Sequence, residues 1–376
     1  SLSGALLVYA PELQRALDGE VRNTGPVGAS LSPTAIVDRV SQQRPDLRIW
    51  SIGVNRDDVW TAWLADGAGV LRIDPTSGDI LDHFHPKDRF EGWVTALHRR
   101  YLVDGPAAKW VRHGVSAVAL LLIVQFAIGL WLWLKPPTPF RRLSVSFRQG
   151  TRFGILRLHQ ATGIATFLIL TAVSLTGMAM YWHDPMRVAL EWVTASKVEE
   201  PRPPREDGYA PLRNIDEALD VAQAAVPGAT LSYFRLPRRS GDSLVAGLMP
   251  EGAGEGQATR VWVGDDPARV LYVYAASEAN LATTIWHMRY IIHVGKFGGP
   301  IIRALWVIVA LIPAGFVVSG LWLYLGRRSR ESPEQHLRRR LRRRLGEHAD
   351  LVRVGFRVRV RVRVGVGVGV GLRVKG

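Results

Sequence analysis

From Gly163 to Trp182 the chain carries no charged residue, and a histidine stands beyond each end of the run, His159 and His183. An uncharged apolar stretch of that length is the signature of a helix that crosses a bilayer. At 1.5 Å per residue one helix would hold the two histidines roughly 36 Å apart, against a hydrocarbon core of about 30 Å, so one imidazole is expected at each membrane face. Val115–Leu134, with Gln125 its one strongly polar residue, and Ala304–Leu325 are uncharged too. Leu2–Ala10 is apolar over only about 14 Å of helix, half a bilayer. With Ser1 in place of a start methionine, the chain reads as beginning midway through its first membrane helix. A cleaved signal peptide does not fit, because no basic n-region precedes the apolar residues.

The start of the chain also matches its middle. Ser1–Leu17 lies over Ser174–Leu190 without a gap, which predicts a helix–domain–helix unit used twice. Charge orients that unit. The 376 residues carry a formal +15, but the basic excess sits in residues 326–376, with 16 Lys+Arg against 4 Asp+Glu, and in 135–157, with 6 against none. The long segments 18–109 and 183–303 are slightly acidic. Lys and Arg mark cytoplasmic flanks, so the 135–157 loop and the tail are expected inside and both long segments outside. Cysteine is absent. Disulfides, iron–sulfur clusters, thiolate metal sites and covalently attached c-type haem are therefore excluded.

Each outer segment has the same order of local signals. In the first, Leu13–Gly28 is a polar linker, Ser32 caps a helix through Arg44, and β-type runs follow at Arg48–Val54, Val59–Ala65, Val70–Ile73 and Ile80–Phe84. A tight turn at Asp74–Gly78 joins the last two. In the second, Val198–Pro211 is the linker, Asn214–Val226 is helical, and strands are predicted at Thr230–Leu236, Ser243–Leu248, Thr259–Val263 and Val270–Tyr274, with Gly264–Ala268 as the matching turn. One helix on a small antiparallel sheet follows for each. Histidine-bearing approaches, Trp93–Trp110 and Ile285–Pro300, lead to membrane helices with like ends, Gly129–Leu134 and Gly320–Leu325. In the tail, Glu334–Leu345 is a basic helix candidate, and from Val352 the sequence is low-complexity Arg-Val and Gly-Val with no packable core.

Gly4-Ala-Leu-Leu-Val-Tyr9, Asp74-Pro-Thr-Ser-Gly78, Leu97-His98-Arg99-Arg100, Leu158-His159 and Ile292-His293-Val-Gly-Lys-Phe-Gly-Gly299 together resemble the PepSY-associated transmembrane family up to about residue 330. The resemblance implies an α-helical bacterial inner-membrane protein with four membrane helices, here the first truncated, two small α+β PepSY-like extracytoplasmic domains and an internal two-fold repeat. The boundaries are 1–17 for the truncated helix, 18–105 for the first outer domain, 111–134 for helix two and 135–154 for the basic loop. They continue as 155–182 for helix three, 183–296 for the second outer domain, 301–325 for helix four and 326–376 for the tail. Several members of that family are linked to iron uptake, and some resemble haem-containing reductases of ferric siderophores. The family's first helix usually opens with a Leu-His of its own, which this chain lacks.

With no cysteine, b-type haem held by two histidines is the iron chemistry left open. Two halves running the same way through the membrane would be related by an axis along its normal, which sets equivalent residues at one depth. His98 and His293, or His287 depending on where the repeat is gapped, are the equivalent pair at the outer face. His159 is the inner-face candidate, and its partner would lie in the missing half-helix. His183, beside Asp184 and Pro185, either ligates or caps a helix end; each of these histidines could instead be an interfacial anchor. His113 reads as interfacial, His83 and His85 as solvated on a sheet edge, and His336 and His348 as part of the basic tail. Gly129, Gly163, Gly177 and Gly320 would let helices or a porphyrin come close.

The expected activity is transfer of electrons from an unidentified donor to a ferric siderophore or other small ferric chelate, with haem b, one or two, as cofactor and membrane lipid as surroundings. Arg235, Arg238 and Arg239 could attract such an anion, though a solvated rim accounts for them equally. The alternative is a non-enzymatic membrane protein that binds peptide or regulates a protease. No nucleotide motif or His-Glu-x-x-His occurs, no nucleic-acid partner is expected, and no charge lies deep in a helix to mark a transport path.

Overall fold

A computed structural model describes residues 2–18, 30–54, 59–201, 214–239, 242–254, 256–265 and 267–328. The basic helix candidate, the low-complexity end, His336, His348 and most of both expected linkers lie outside the described residues, as does residue 266 in the Gly264–Ala268 turn. The chain starts with α1 (Leu2–Val8) and α2 (Ala10–Asp18), two short helices broken at Tyr9. Next come α3 (Pro33–Gln43), β1 (Ile49–Gly53), β2 (Trp60–Leu64), β3 (Val70–Ile73), β4 (Ile80–Phe84), α4 (Phe90–Arg100) and α5 (Ala107–Leu134). A basic loop leads to α6 (Thr151–Ala179) and α7 (His183–Thr194). The rest is α8 (Ile215–Ala225), β5 (Thr230–Arg235), β6 (Leu244–Met249), β7 (Thr259–Asp265), β8 (Ala268–Tyr274), α9 (Leu281–Val294) and α10 (Gly299–Arg328).

Local signals account for most of these limits. The Ser32 side chain accepts from Ala35 N at the head of α3, with Pro33 in the first turn, and Ile36 and Val40 turn inward. Asn214 caps α8 in the same way through Glu217 N, and the helix buries its Ile215, Ala218, Leu219 and Ala222. Between β3 and β4, Asp74 Oδ1 accepts from Thr76 N at 2.8 Å while Gly78, at φ 74°, donates to the Asp74 carbonyl. That left-handed backbone is why the turn closes on glycine.

Sequence reading expects two small sheets; the structure joins them. The eight strands form one antiparallel sheet in the order β4-β3-β2-β1-β5-β6-β7-β8. β1 and β5 pair with Ser51 opposite Arg235, Ile52 opposite Phe234 and Gly53 opposite Tyr233. Apart, each would be a bare edge strand with unpaired N–H and C=O groups. One core runs under the seam, with Ile36, Val40, Ile52, Leu71, Phe234, Leu248 and Val261 among its buried residues. The helices lock too: Thr34 N donates to Asp216 Oδ1 at 3.0 Å and Asp216 N to Thr34 Oγ1 at 3.1 Å.

Among the described residues three helices are long and apolar enough to cross a membrane: Ala107–Leu134, Thr151–Ala179 and Gly299–Gly326, at mean hydropathy 2.4, 1.7 and 2.4. Each spans about 42 Å, more than the bilayer core. Large apolar side chains such as Leu168 and Val318 stand exposed along them, as lipid contact requires. α1, with seven residues, covers about a third of that core. The expectation of one helix from His159 to His183 is corrected. α6 ends at Ala179, Trp182 leaves helical geometry, and His183 opens α7. Pro185 is the physical cause: inside a continuous helix its ring would clash with the carbonyl of Tyr181, whereas a new first turn accepts it.

Candidate functional site

The site stands on α4 and α9, the short helices that precede α5 and α10. α4 stops where Tyr101 and Leu102 turn to positive φ, before Asp104-Gly105-Pro106. α9 starts from Asn280, whose side chain accepts from Thr283 N at 2.9 Å, and ends on Gly295 at φ 73°. A Cβ on Gly295 would stand 2.5 Å from Trp306 Cγ, so the glycine also lets α10 fold back close. Trp306 Nε1 then donates to the Ile292 carbonyl at 3.0 Å, beside His293.

His98 of α4 and His293 of α9 come together with ring centres 6.2 Å apart and planes at 59°. His293 Nδ1 donates to the Val173 carbonyl on α6 at 2.9 Å and lies 3.3 Å from Thr176 Oγ1. A carbonyl only accepts, so His293 carries its proton on Nδ1 and keeps the Nε2 lone pair. His98 Nδ1 lies 3.2 Å from Ser3 Oγ on α1. Burial holds the pKa of both imidazoles down, that of His98 to about 4 with the positive charge of His293 as the second cause. Both are neutral at pH 7 and chemically able to ligate.

The other candidates stand apart from this pair. His159 is on α6, 18 residues before Gly177 against His293; five turns put them on one face, about 27 Å apart. Its Nδ1 lies 2.7 Å from Ser319 Oγ, and because that hydroxyl donates to Gly315 O, His159 donates and keeps its Nε2 lone pair. Phe316, at 4.9 Å between ring centres, packs against it, and no second histidine does among the described residues. His183 is exposed, edge-on to Trp286 at 4.7 Å with Nδ1 3.3 Å from Asp184. His287 points to Tyr274, whose hydroxyl is 3.4 Å from its Nδ1, and burial lowers its pKa. His83 and His85 also stand 6.2 Å apart, but His83 is exposed and its Nε2 is held at 2.9 Å by the Ala68 carbonyl. His113 accepts from Trp182 Nε1 at 3.0 Å.

Sequence reasoning names both members of the pair and expects close approach at Gly177, but misses what holds the imidazoles: Ser3, the Val173 carbonyl and Thr176. The run of small residues in α6 was the available signal. Arg235 and Arg238 stack over Trp50 at 5.4 and 5.9 Å, a use the sequence left open.

A protein with three membrane-capable helices, an antiparallel α+β sheet and an imidazole pair beside its apolar helices belongs to the membrane proteins. Residues 1–327 match the family described as the PepSY-associated TM region, and the chain belongs to that family. A comparison with curated proteins returns no match.

Proposed function

We propose that the protein is a haem b oxidoreductase of the bacterial inner membrane, which reduces a ferric chelate on the outer side by one electron per iron, drawn from a reduced donor on the inner side. The observation that carries this is the disposition of His98 and His293. Imidazole nitrogen is the ligand through which a protein would hold b-type haem iron without cysteine, and two imidazoles converge here. The pair stands at 6.2 Å, and the Nδ1 atom of each ring is engaged by the protein, as metal-ligating histidines require. Among the described residues no group of three or more His, Asp or Glu could hold a metal ion, so a two-ligand group suits the site better than a zinc or non-haem iron centre. The residues fit haem b: His98 and His293 would hold it, and Val173, Thr176 and Ser3 would orient them.

Held by these histidines, haem b would supply one-electron transfer. His159, five turns along the same face of α6, is the nitrogen assigned to a second level. Four membrane helices, a duplicated unit with α4 and α9 as equivalents, and an extracytoplasmic sheet with the basic loop inside belong to the same reading, on the charge distribution. The test is optical. Purified protein is expected to show a Soret band and, with dithionite, sharp α and β bands. His98→Ala and His293→Ala should each remove the same haem equivalent, while His287→Ala keeps it. A colourless full chain overturns the reading and leaves a non-enzymatic membrane protein that binds peptide or regulates a protease.

A further inference from the structure

A half-open cavity of about 380 Å³ lies between the end of β4, the turn at Pro86, α4 and the start of α5. Its lining carries six cations, Arg72, Lys87, Arg89, Arg99, Arg100 and Arg112, against one carboxylate, Glu91. Three of the cations are already paired. Arg72 and Arg89 share Asp18, at 3.2 and 2.5 Å, and both approach Asp82. Arg100 pairs with Asp104. Lys87, Arg99 and Arg112 enter no ion pair with a described residue, and Arg112 Nε is buried without a hydrogen-bond partner. A buried guanidinium nitrogen left unsatisfied is costly unless a ligand meets it.

We propose that this cavity binds a small soluble anion with several carboxylates, of the class of ferric hydroxycarboxylate chelates, with Lys87, Arg99 and Arg112 as its recognising cations. Convergent cations in a concave, partly shielded site hold such an anion by charge-assisted hydrogen bonds, and guanidinium forks match carboxylates. The volume is at the small end for ligand sites, which favours a compact chelate over a bulky siderophore. The placement also suits it: Arg99 follows His98 on α4, about 100° round a helix some 10 Å across, so one helix separates the anion from the imidazole pair. The iron in this assignment rests on the electron-carrier reading; the anion site rests on the cavity.

The experiment is calorimetric titration of the full chain in phosphatidylcholine nanodiscs with citrate and with ferric citrate. Both are expected to bind, and Arg99→Gln with Arg112→Gln should weaken binding about tenfold or more, with Lys87→Gln weakening it less. The Arg99→Lys, Arg112→Lys double variant keeps the charge but not the guanidinium forks and should recover part of the affinity that the glutamine variant loses, which separates recognition from misfolding. Equal affinity in the glutamine variant, or no binding by the parent chain, overturns the site. A repeat in nanodiscs containing phosphatidylglycerol should leave citrate binding intact; if the anionic lipid abolishes it, the cavity holds a headgroup and the proposal fails. A colourless chain that binds citrate keeps this site and removes the electron carrier, and a haem-loaded chain that does not bind it does the reverse.

Discussion

A Cβ placed on Gly177 would stand 2.9 Å from Cε1 of His293. The glycine is what lets the imidazole lie against α6 and reach the Val173 carbonyl, and that hydrogen bond fixes which ring nitrogen is free. Gly177→Ala would ordinarily gain about 1 kcal/mol of helix propensity. Here it is expected to lose stability, by about 1–3 kcal/mol as overpacking does, and to lower the haem content measured by absorbance. Gly163 is the control on the same helix, since its Cβ would meet only Phe316 Cζ at 4.0 Å. Gly163→Ala should melt no lower than the parent. If both variants behave alike, the fit of His293 against α6 is not a constraint.

The lowered pKa of His98 makes a pH prediction. Burial, then the charge of His293, hold it down to about 4 in the folded protein, against about 6.5 in the unfolded chain. In that interval the unfolded state binds the extra proton, so the contribution of His98 to stability is complete above about pH 6.5 and is lost as pH falls toward 4. His293 shifts the same way. The melting temperature of haem-free protein should therefore fall from pH 6.5 to 5, before ordinary carboxylates titrate. His98→Gln should flatten that part of the curve, and an equally steep curve in the variant would refute the assignment.

Much of the eight-stranded sheet was legible because its signals are local. Ser32 and Asn214 announce their helices, Asp74 and Gly78 their turn, and alternating apolar residues their strands. The seam between β1 and β5 was not, since nothing within either strand says that its partner lies about 180 residues away. The sequence left His293 and His287 open as partners of His98, and the structure sets His293 beside it, whereas Val173 and Ser3 act through backbone or a common hydroxyl and leave no mark. The break before His183 was misread from the absence of charge, although Pro185 was in view. The basic cavity draws its cations from β3, a turn, α4 and α5, so no window of sequence contains it.

That seam is a testable unit. Phe234 is fully buried opposite Ile52, between the two halves of the sheet. Phe234→Ala should cost about 3–5 kcal/mol, as emptying a core ring site does. Because one core serves all eight strands, amide exchange is expected to rise in β2 and β3 as well as in β5 and β6. Loss of protection confined to the second half would mean that the halves fold independently.

Asp18 gives a prediction in which stability and binding move in opposite directions. Its carboxylate, only 9% exposed, lies between Arg72 and Arg89, and both guanidiniums also stack on Phe84 at 5.3 and 4.5 Å. Asp18→Asn leaves two part-buried cations facing each other with Asp82 as their remaining carboxylate. Removing one partner of a buried pair costs about 3–5 kcal/mol, and the smaller figure applies here because both arginines keep some contact with water. The same change removes a negative charge from beside the cavity, so citrate affinity should rise a few-fold at low salt and return toward the parent value as salt screens the field. Thermal melts and citrate titrations on the one variant read both effects. If affinity falls together with stability, the cavity is being held in shape by Asp18 and does not attract its anion by charge.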